Sequence, residues 1–203
     1  MIDYQETIDF YEDDIYTSRR SDIYAVPRED FFDGLSNLLA DFPISSVLDI
    51  GAGPGLEAKM FAARGYRVTV VEPCKAFRNI GQEGSPDPKI EWVDDRLPNL
   101  QKLTGRERGF DLVFSSAMFM HIHPDDQEQA FLRMMEFLSD QGILYMTVRN
   151  GPSFDSRKMY PVSYDLLSQV AQRQGKVMRI LSDVPDHRGR IDVTWTTLVI
   201  TAS

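Results

Sequence analysis

Residues 47–73 read VLDIGAGPGLEAKMFAARGYRVTVVEP, and this stretch restricts the possible folds of the chain more than any other. Val47-Leu48-Asp49-Ile50 is an apolar run of the kind that forms a strand covered on both faces of a parallel sheet. Gly51, Gly53 and Gly55 follow at alternate positions. Residues 56–64 then place Leu56, Met60, Phe61 and Ala63 at helical spacing, and Gly65 suits the C′ position of that helix. A second strand over 66–71 ends at Glu72. The unit is strand, glycine loop, helix, strand, acid, and such a unit suits a nucleoside. Glycines let the backbone turn sharply and admit a ligand where a Cβ would stand. A carboxylate at the end of the next strand, roughly 20 residues on, suits the hydroxyls of a ribose. The plain alternative is a buried α/β core with a tight turn and no ligand.

Two details separate this loop from a dinucleotide site. A nicotinamide dinucleotide fold uses G-x-G-x-x-G and lays a pyrophosphate on the helix N-terminus. Here the third glycine comes one residue early, at Gly55, and Leu56 occupies the expected place. Asp49 also puts an anion at the mouth of the site, which favours an ammonium or sulfonium over phosphates.

Asp49-Ile50-Gly51-Ala52-Gly53-Pro54-Gly55 with Glu72 resembles the S-adenosylmethionine motif of class I methyltransferases. The resemblance covers roughly residues 44–201. It implies a Rossmann-like, doubly wound, seven-stranded α/β sheet, mostly parallel with the last strand antiparallel, and helices on both faces. It also implies S-adenosyl-L-methionine as cofactor and S-adenosyl-L-homocysteine as product. By the same resemblance, Asp49, Gly51, Ala52, Gly53, Gly55, Glu72 and Pro73 hold the cofactor. An acid after the third strand, Asp94 or Asp95 with Arg96 beside it, meets the adenine amino group. Ser115, Ser116 and Met118, after the fourth strand, lie beside the methionine end and the methyl group.

The remaining strands read over 90–93, 110–115, 143–148, 176–181 and 193–201, the last alternating like a strand added antiparallel at one edge. Pro73 suits the first position of a short helix reaching Gly81, with Cys74 in its first turn, where a thiol pKa can fall. A small apolar role for Cys74 is the commoner one. His121 or His123 is a candidate general base, although His123-Pro124-Asp125-Asp126 also has the form of a helix cap. Arg149, at the carboxyl end of the fifth strand, is a candidate to grip a substrate carboxylate or phosphate.

Residues 1–43 read as a helical cap, set off from a cofactor-binding domain over 44–203. Residues 1–33 hold ten acids and three arginines, so −7 of the net −9 sits there. Tyr11, Tyr16 and Arg19 are the candidates for contact with a substrate if this segment closes as a lid; otherwise its aromatics simply pack a helix onto the sheet.

The net charge of −9 repels phosphate backbones and weighs against a nucleic-acid partner. The place where base-amine methylating enzymes carry a Pro-Pro-aromatic turn reads Ser115-Ser116-Ala117-Met118. A Pro-Cys nucleophile is also missing there, since the one cysteine, Cys74, follows the second strand. The acceptor is therefore expected to be a small molecule, methylated on O or N, with no metal. One cysteine, no apolar run of about 20 residues and no signal-peptide pattern make a cytoplasmic protein the expectation. A non-catalytic module binding the same nucleoside is the second reading; a nicotinamide oxidoreductase is disfavoured by the glycine spacing. Oligomeric state is left open.

Overall fold

The computed structural model describes residues 4–13, 35–83, 87–186 and 189–202. Its centre is a seven-stranded sheet of order β3-β2-β1-β4-β5-β7-β6. The strands are β1 Ser46–Ile50, β2 Arg67–Val71, β3 Ile90–Val93, β4 Phe110–Ser116, β5 Leu138–Asn150, β6 Lys176–Pro185 and β7 Thr194–Ala202. Neighbours from β3 through β5 pair in parallel, and β7 runs antiparallel to both β5 and β6. The helices are α1 Gln5–Glu12, α2 Leu56–Ala63, α3 Lys75–Gln82, α4 Pro124–Glu136 and α5 Tyr164–Arg173, and residues 35–39 are helical too.

Strand β1 is buried along its whole length, as its near-continuous apolar sequence requires. One face of the sheet packs under α4 and α5, with Ala130, Phe131, Met134, Leu167 and Val170 all inaccessible to solvent. The other face packs under α2 and the 35–39 turn through Ala58, Phe61, Ala62, Leu35 and Leu39. Of the stripe read at residues 56–64, Phe61 lies in that core, Leu56 and Met60 are half-buried and Ala63 is exposed; Ala58 and Ala62 complete the buried face of α2.

Chain order reverses between β1 and β4: β2 and β3 extend the sheet one way, β4 and β5 the other. At such a switch point the loops leaving the strand ends separate and open a crevice. Asp49 pairs in register with Val70 on one side and Phe114 on the other, so the glycine loop leaves the sheet at that crevice.

Two expectations need correction, on β7 and on Pro73, and the packing role read for Cys74 agrees with its burial. β7 is not an edge strand; it lies between β5 and β6, and β6 forms the edge. The alternation in β7 was legible but its neighbours were not, since a hairpin order and an inserted order give the same pattern. Pro73 does not open α3, which begins at Lys75 with Cys74 as its N-cap. Cys74 is buried, and burial pushes its thiol up to about 12, so it is a packing residue and no nucleophile.

Candidate active site

A cavity of about 800 Å³ opens beyond the carboxyl ends of β1, β2, β4 and β5. Asp49, Gly51, Ala52, Gly53, Glu72, Pro73, Asp95, Arg96, Ser116, Met118, His121, Arg149 and Tyr11 all line it, so most of the residues singled out in the sequence meet in one place.

The glycines divide by role. Gly53 has φ of +56°, and no atom lies within 4 Å of where its Cβ would stand. A Cβ at Gly51 would instead strike the Met118 side chain, and one at Gly55 would come within 2.6 Å of the Trp92 ring. Gly51 and Gly55 serve the packing of the loop, and Gly55 does not line the cavity. Gly53 leaves room on its open side.

Glu72 ties the loop to the second strand. Its Oε2 accepts from the Gly53 N–H and its Oε1 from the Cys74 N–H, each at 2.8 Å. Burial raises its pKa to about 7, against the pull of those two N–H donors and Arg78. Asp49 is buried more completely, and its Oδ2 has no hydrogen-bond partner among the described residues. Burial, then the nearby Glu57 and Glu72, hold its pKa well above the usual carboxylate range. A buried carboxylate oxygen without a partner is costly, and a cationic donor would relieve the cost.

Asp94 does not line the cavity. Arg78 engages it at 3.1 Å while also donating to the Glu72 and Pro73 carbonyls, and Lys102 stands 3.7 Å away. The adjacent Asp95 does line the wall, held by the backbone N–H groups of Arg96 and Lys102. Ser115 is also off the wall, since its Oγ donates to the Ile50 carbonyl and braces β4 against β1. Ser116 faces the cavity and shares a 3.0 Å hydrogen bond with the Thr147 hydroxyl.

His121 is buried, which lowers its pKa to about 4. Its Nδ1 lies 2.7 Å from the Lys158 carbonyl, an acceptor only, so the proton of the neutral ring sits on Nδ1. Nε2 then accepts from the Tyr11 hydroxyl at 3.2 Å, and that hydroxyl in turn accepts from Arg157 at 3.1 Å. His123 caps α4 by accepting the Asp125 N–H, the helix-cap use of that motif. Tyr16 and Arg19 lie outside the described residues.

Helix α1 covers part of the opening, with Tyr4, Thr7, Ile8 and Tyr11 on the cavity wall. None of its residues is fully buried. Its attachments are largely polar: Tyr4 donates to Asp126 at 2.6 Å, Glu6 pairs with Lys158, and Glu12 accepts the first N–H groups of α3, from Lys75 and Ala76. Aromatic contact between Tyr11 and Phe77 adds an apolar seam.

The cavity residues that were not singled out as site residues in the sequence include a polar group, Arg157, Asp186, Arg190 and Trp195. Trp195 stands opposite Arg149 in register, because β7 is inserted beside β5. An edge position for β7 hides that pairing, so no signal in the sequence connected this group to the site.

Residues 48–146 match the family model for a methyltransferase domain. An uncharacterized methyltransferase of Alkaliphilus oremlandii is 30% identical over 95 residues, 47% of this chain and 41% of that protein. One of Oceanobacillus iheyensis is 29% identical over 129 residues, 64% of this chain and 55% of that protein. The matches therefore span about half the length of these relatives. Among solved structures, the 1,6-didemethyltoxoflavin-N1-methyltransferase of Burkholderia thailandensis, crystallised with S-adenosylhomocysteine, superposes with a TM-score of 0.67 at 17% identity, covering 100% of this chain and 92% of that one. A phosphoethanolamine N-methyltransferase of Haemonchus contortus, with bound S-adenosyl-L-methionine, gives 0.77 at 16% identity, covering 100% of this chain and 60% of that one. The chain thus shares its fold with these solved methyltransferases and carries a match to a methyltransferase domain over residues 48–146.

A pH dependence follows for any ligand whose hydroxyls donate to Glu72. With a pKa near 7, the carboxyl is protonated in about nine molecules of ten at about pH 6 and in about one of ten at about pH 8. Hydroxyl donors prefer the ionised form, so adenosine affinity should rise about tenfold over that interval. The Glu72→Gln variant should show no rise. A flat profile in the wild type contradicts a role for Glu72 at the ribose.

Proposed function

We propose that this chain is an S-adenosylmethionine-dependent methyltransferase acting on an O or N of a small-molecule acceptor. The observation that carries the proposal is the pair of buried carboxylates, Asp49 with its unpartnered Oδ2 and Glu72, beside the open side of Gly53. A nucleoside bearing an amino-acid tail fits that arrangement: ribose hydroxyls to Glu72, ammonium to Asp49, and backbone contact along Gly51, Ala52 and Gly53. Asp95 and Arg96, with Pro73, offer the wall for the adenine. Ser116 and Met118 flank the place for the reacting end. The family match over residues 48–146 supports the same reading.

S-adenosylmethionine, when bound, supplies an electrophilic methyl on a sulfonium and leaves as S-adenosylhomocysteine. The chain's residues then have two tasks, aligning the acceptor and keeping water out. Where the acceptor must lose a proton, the Tyr11 hydroxyl and the neutral His121 behind it form a path, with the Lys158 carbonyl fixing the tautomer. A negatively charged chain favours a small acceptor over nucleic acid. Among the described residues, no helix is long and apolar enough to cross a membrane.

Incubation with methyl-labelled S-adenosylmethionine and a fractionated small-metabolite extract tests the activity. Label should enter a small-molecule fraction with wild-type protein and fail to do so with Gly53→Val, which crowds the open side of the loop. The positive φ at Gly53 adds strain of about 1–2 kcal/mol, so folding of the variant is checked by its melting curve. Binding of S-adenosylhomocysteine with no transfer to any fraction would favour the non-catalytic module instead.

Within the cap read over 1–43, helix α1 acts in this proposal as a lid on the domain over 44–203, while Leu35 and Leu39 are fixed in the sheet core and residues 14–34 lie outside the described residues. The polar attachment of α1, with no fully buried residue, supports it, since elements that open come from the weakly held part of a structure. Hydrogen exchange should show protection of residues 4–12 rising when S-adenosylhomocysteine binds. Equal protection in both states would make α1 a fixed part of the fold.

A further inference from the structure

The wall of the cavity farthest in character from the glycine loop is cationic. Three arginines stand on it, Arg149, Arg157 and Arg190, in a chain whose net charge is −9. Two of them are neutralised by acids of their own. Arg157 grips Asp155 through Nε and Nη2 at 2.7 and 2.6 Å. Arg190 grips Asp186 in the same forked manner at 2.9 and 2.6 Å, and Asp186 also accepts from the Trp195 indole at 2.8 Å.

Arg149 has no such acid. It is only 5% exposed, and its hydrogen-bond partners among the described residues are neutral: the Gly151 carbonyl at 3.2 Å, the Pro152 carbonyl at 2.7 Å and the Met159 sulfur at 3.1 Å. Its Nε has no partner among the described residues. Burial, with repulsion from Arg190 and Arg157, disfavours its charge, and the attraction of Asp186 and Asp155, each already gripped by its own arginine, offsets this only in part. A buried guanidinium with no carboxylate hydrogen-bonded to it among the described residues, and with an orphaned N–H, is an expensive arrangement for a fold to hold. Bracing the loop at 151–152 needs the two carbonyl bonds alone; it does not call for two more guanidiniums nearby. An anion beside Arg149 would satisfy the charge, and guanidinium is shaped to take the paired oxygens of a phosphate or carboxylate.

We propose that the methyl acceptor carries a phosphate or carboxylate group, and that Arg149 is the residue that binds it, flanked by the paired Arg157 and Arg190. This rests on the methyltransferase reading above and adds the acceptor's charge to it. The cavity then has two ends of opposite sign: an acidic end, with Asp49 for the ammonium and Glu72 for the ribose of the methyl donor, and a cationic end, with Arg149 for the anionic part of the acceptor. Like charge at each end also keeps the two ligands from exchanging places.

Isothermal titration of the full chain, with and without S-adenosylhomocysteine, tests this with inorganic phosphate and malonate as probes. At least one anion should bind the wild type, and its affinity should fall by about tenfold or more in Arg149→Gln. Arg149→Lys, which keeps the charge and loses the fork, should lie between. S-adenosylhomocysteine affinity should stay unchanged in both variants, a result that loss of folding would not give. Binding of phosphate alone points to a phosphorylated acceptor, and of malonate alone to a carboxylate. Failure of both anions to bind the wild type, or equal binding by Arg149→Gln, overturns the proposal. If Arg149→Gln does not fold, selenate soaked into wild-type crystals decides: an anomalous peak against the Arg149 guanidinium supports it, and no peak there overturns it. Lack of S-adenosylhomocysteine binding would sink the methyltransferase reading separately, since the anion titration is also run without it.

Discussion

The clasp of the Glu72 carboxylate on two backbone N–H groups is the contact on which the site depends. One N–H belongs to Gly53 in the loop after β1, the other to Cys74 at the start of α3. A single side chain therefore fixes the spacing of two loops that leave neighbouring strands at the switch point of the sheet. Because both donors are backbone groups, the clasp sets loop shape without depending on the rotamers of other side chains. Satisfying two N–H groups still leaves acceptor capacity on the carboxylate, which has about four lone-pair sites in all. The same atom group can thus hold the loop and receive a ligand.

Around that clasp the cavity is sorted by charge. Acidic groups cluster where the strands β1 and β2 end, and arginines cluster where β5 and β7 bring Arg149 and Trp195 side by side. The sheet order produces the separation: β4 stands between the two regions. Buried charges are costly wherever they lie, so their survival at both ends fits a cavity built to be filled by a dipolar pair of ligands.

Much of this was legible in the sequence, for a physical reason. Strand, turn and helix in residues 47–73 are each dictated locally, by apolar runs, by glycines and by helical spacing, and the resulting unit fits only a narrow set of folds. The acids at 49 and 72 were legible because strand ends point at the switch point. Side-chain choices between neighbours were not. Asp94 and Asp95 differ in what reaches them: Arg78, a helical residue 16 positions away, takes Asp94, and backbone N–H groups hold Asp95. Ser115 and Ser116 point to opposite sides of one strand, so one braces β1 and the other meets the cavity. The arginine wall was hidden further, because it depends on where β7 inserts, a long-range pairing that alternation within β7 does not encode.

The central claim is that the glycine loop, Glu72 and Asp49 together receive a nucleoside whose amino-acid tail carries an ammonium. Equilibrium titration of wild type and Asp49→Asn with S-adenosylhomocysteine and with methylthioadenosine, which lacks that tail, tests it most directly. The account predicts that Asp49→Asn loses affinity for S-adenosylhomocysteine by about tenfold or more, on the scale of a buried charge-assisted hydrogen bond, and keeps its affinity for methylthioadenosine. Equal affinities for S-adenosylhomocysteine in the two proteins, or equal losses for both ligands, would contradict it.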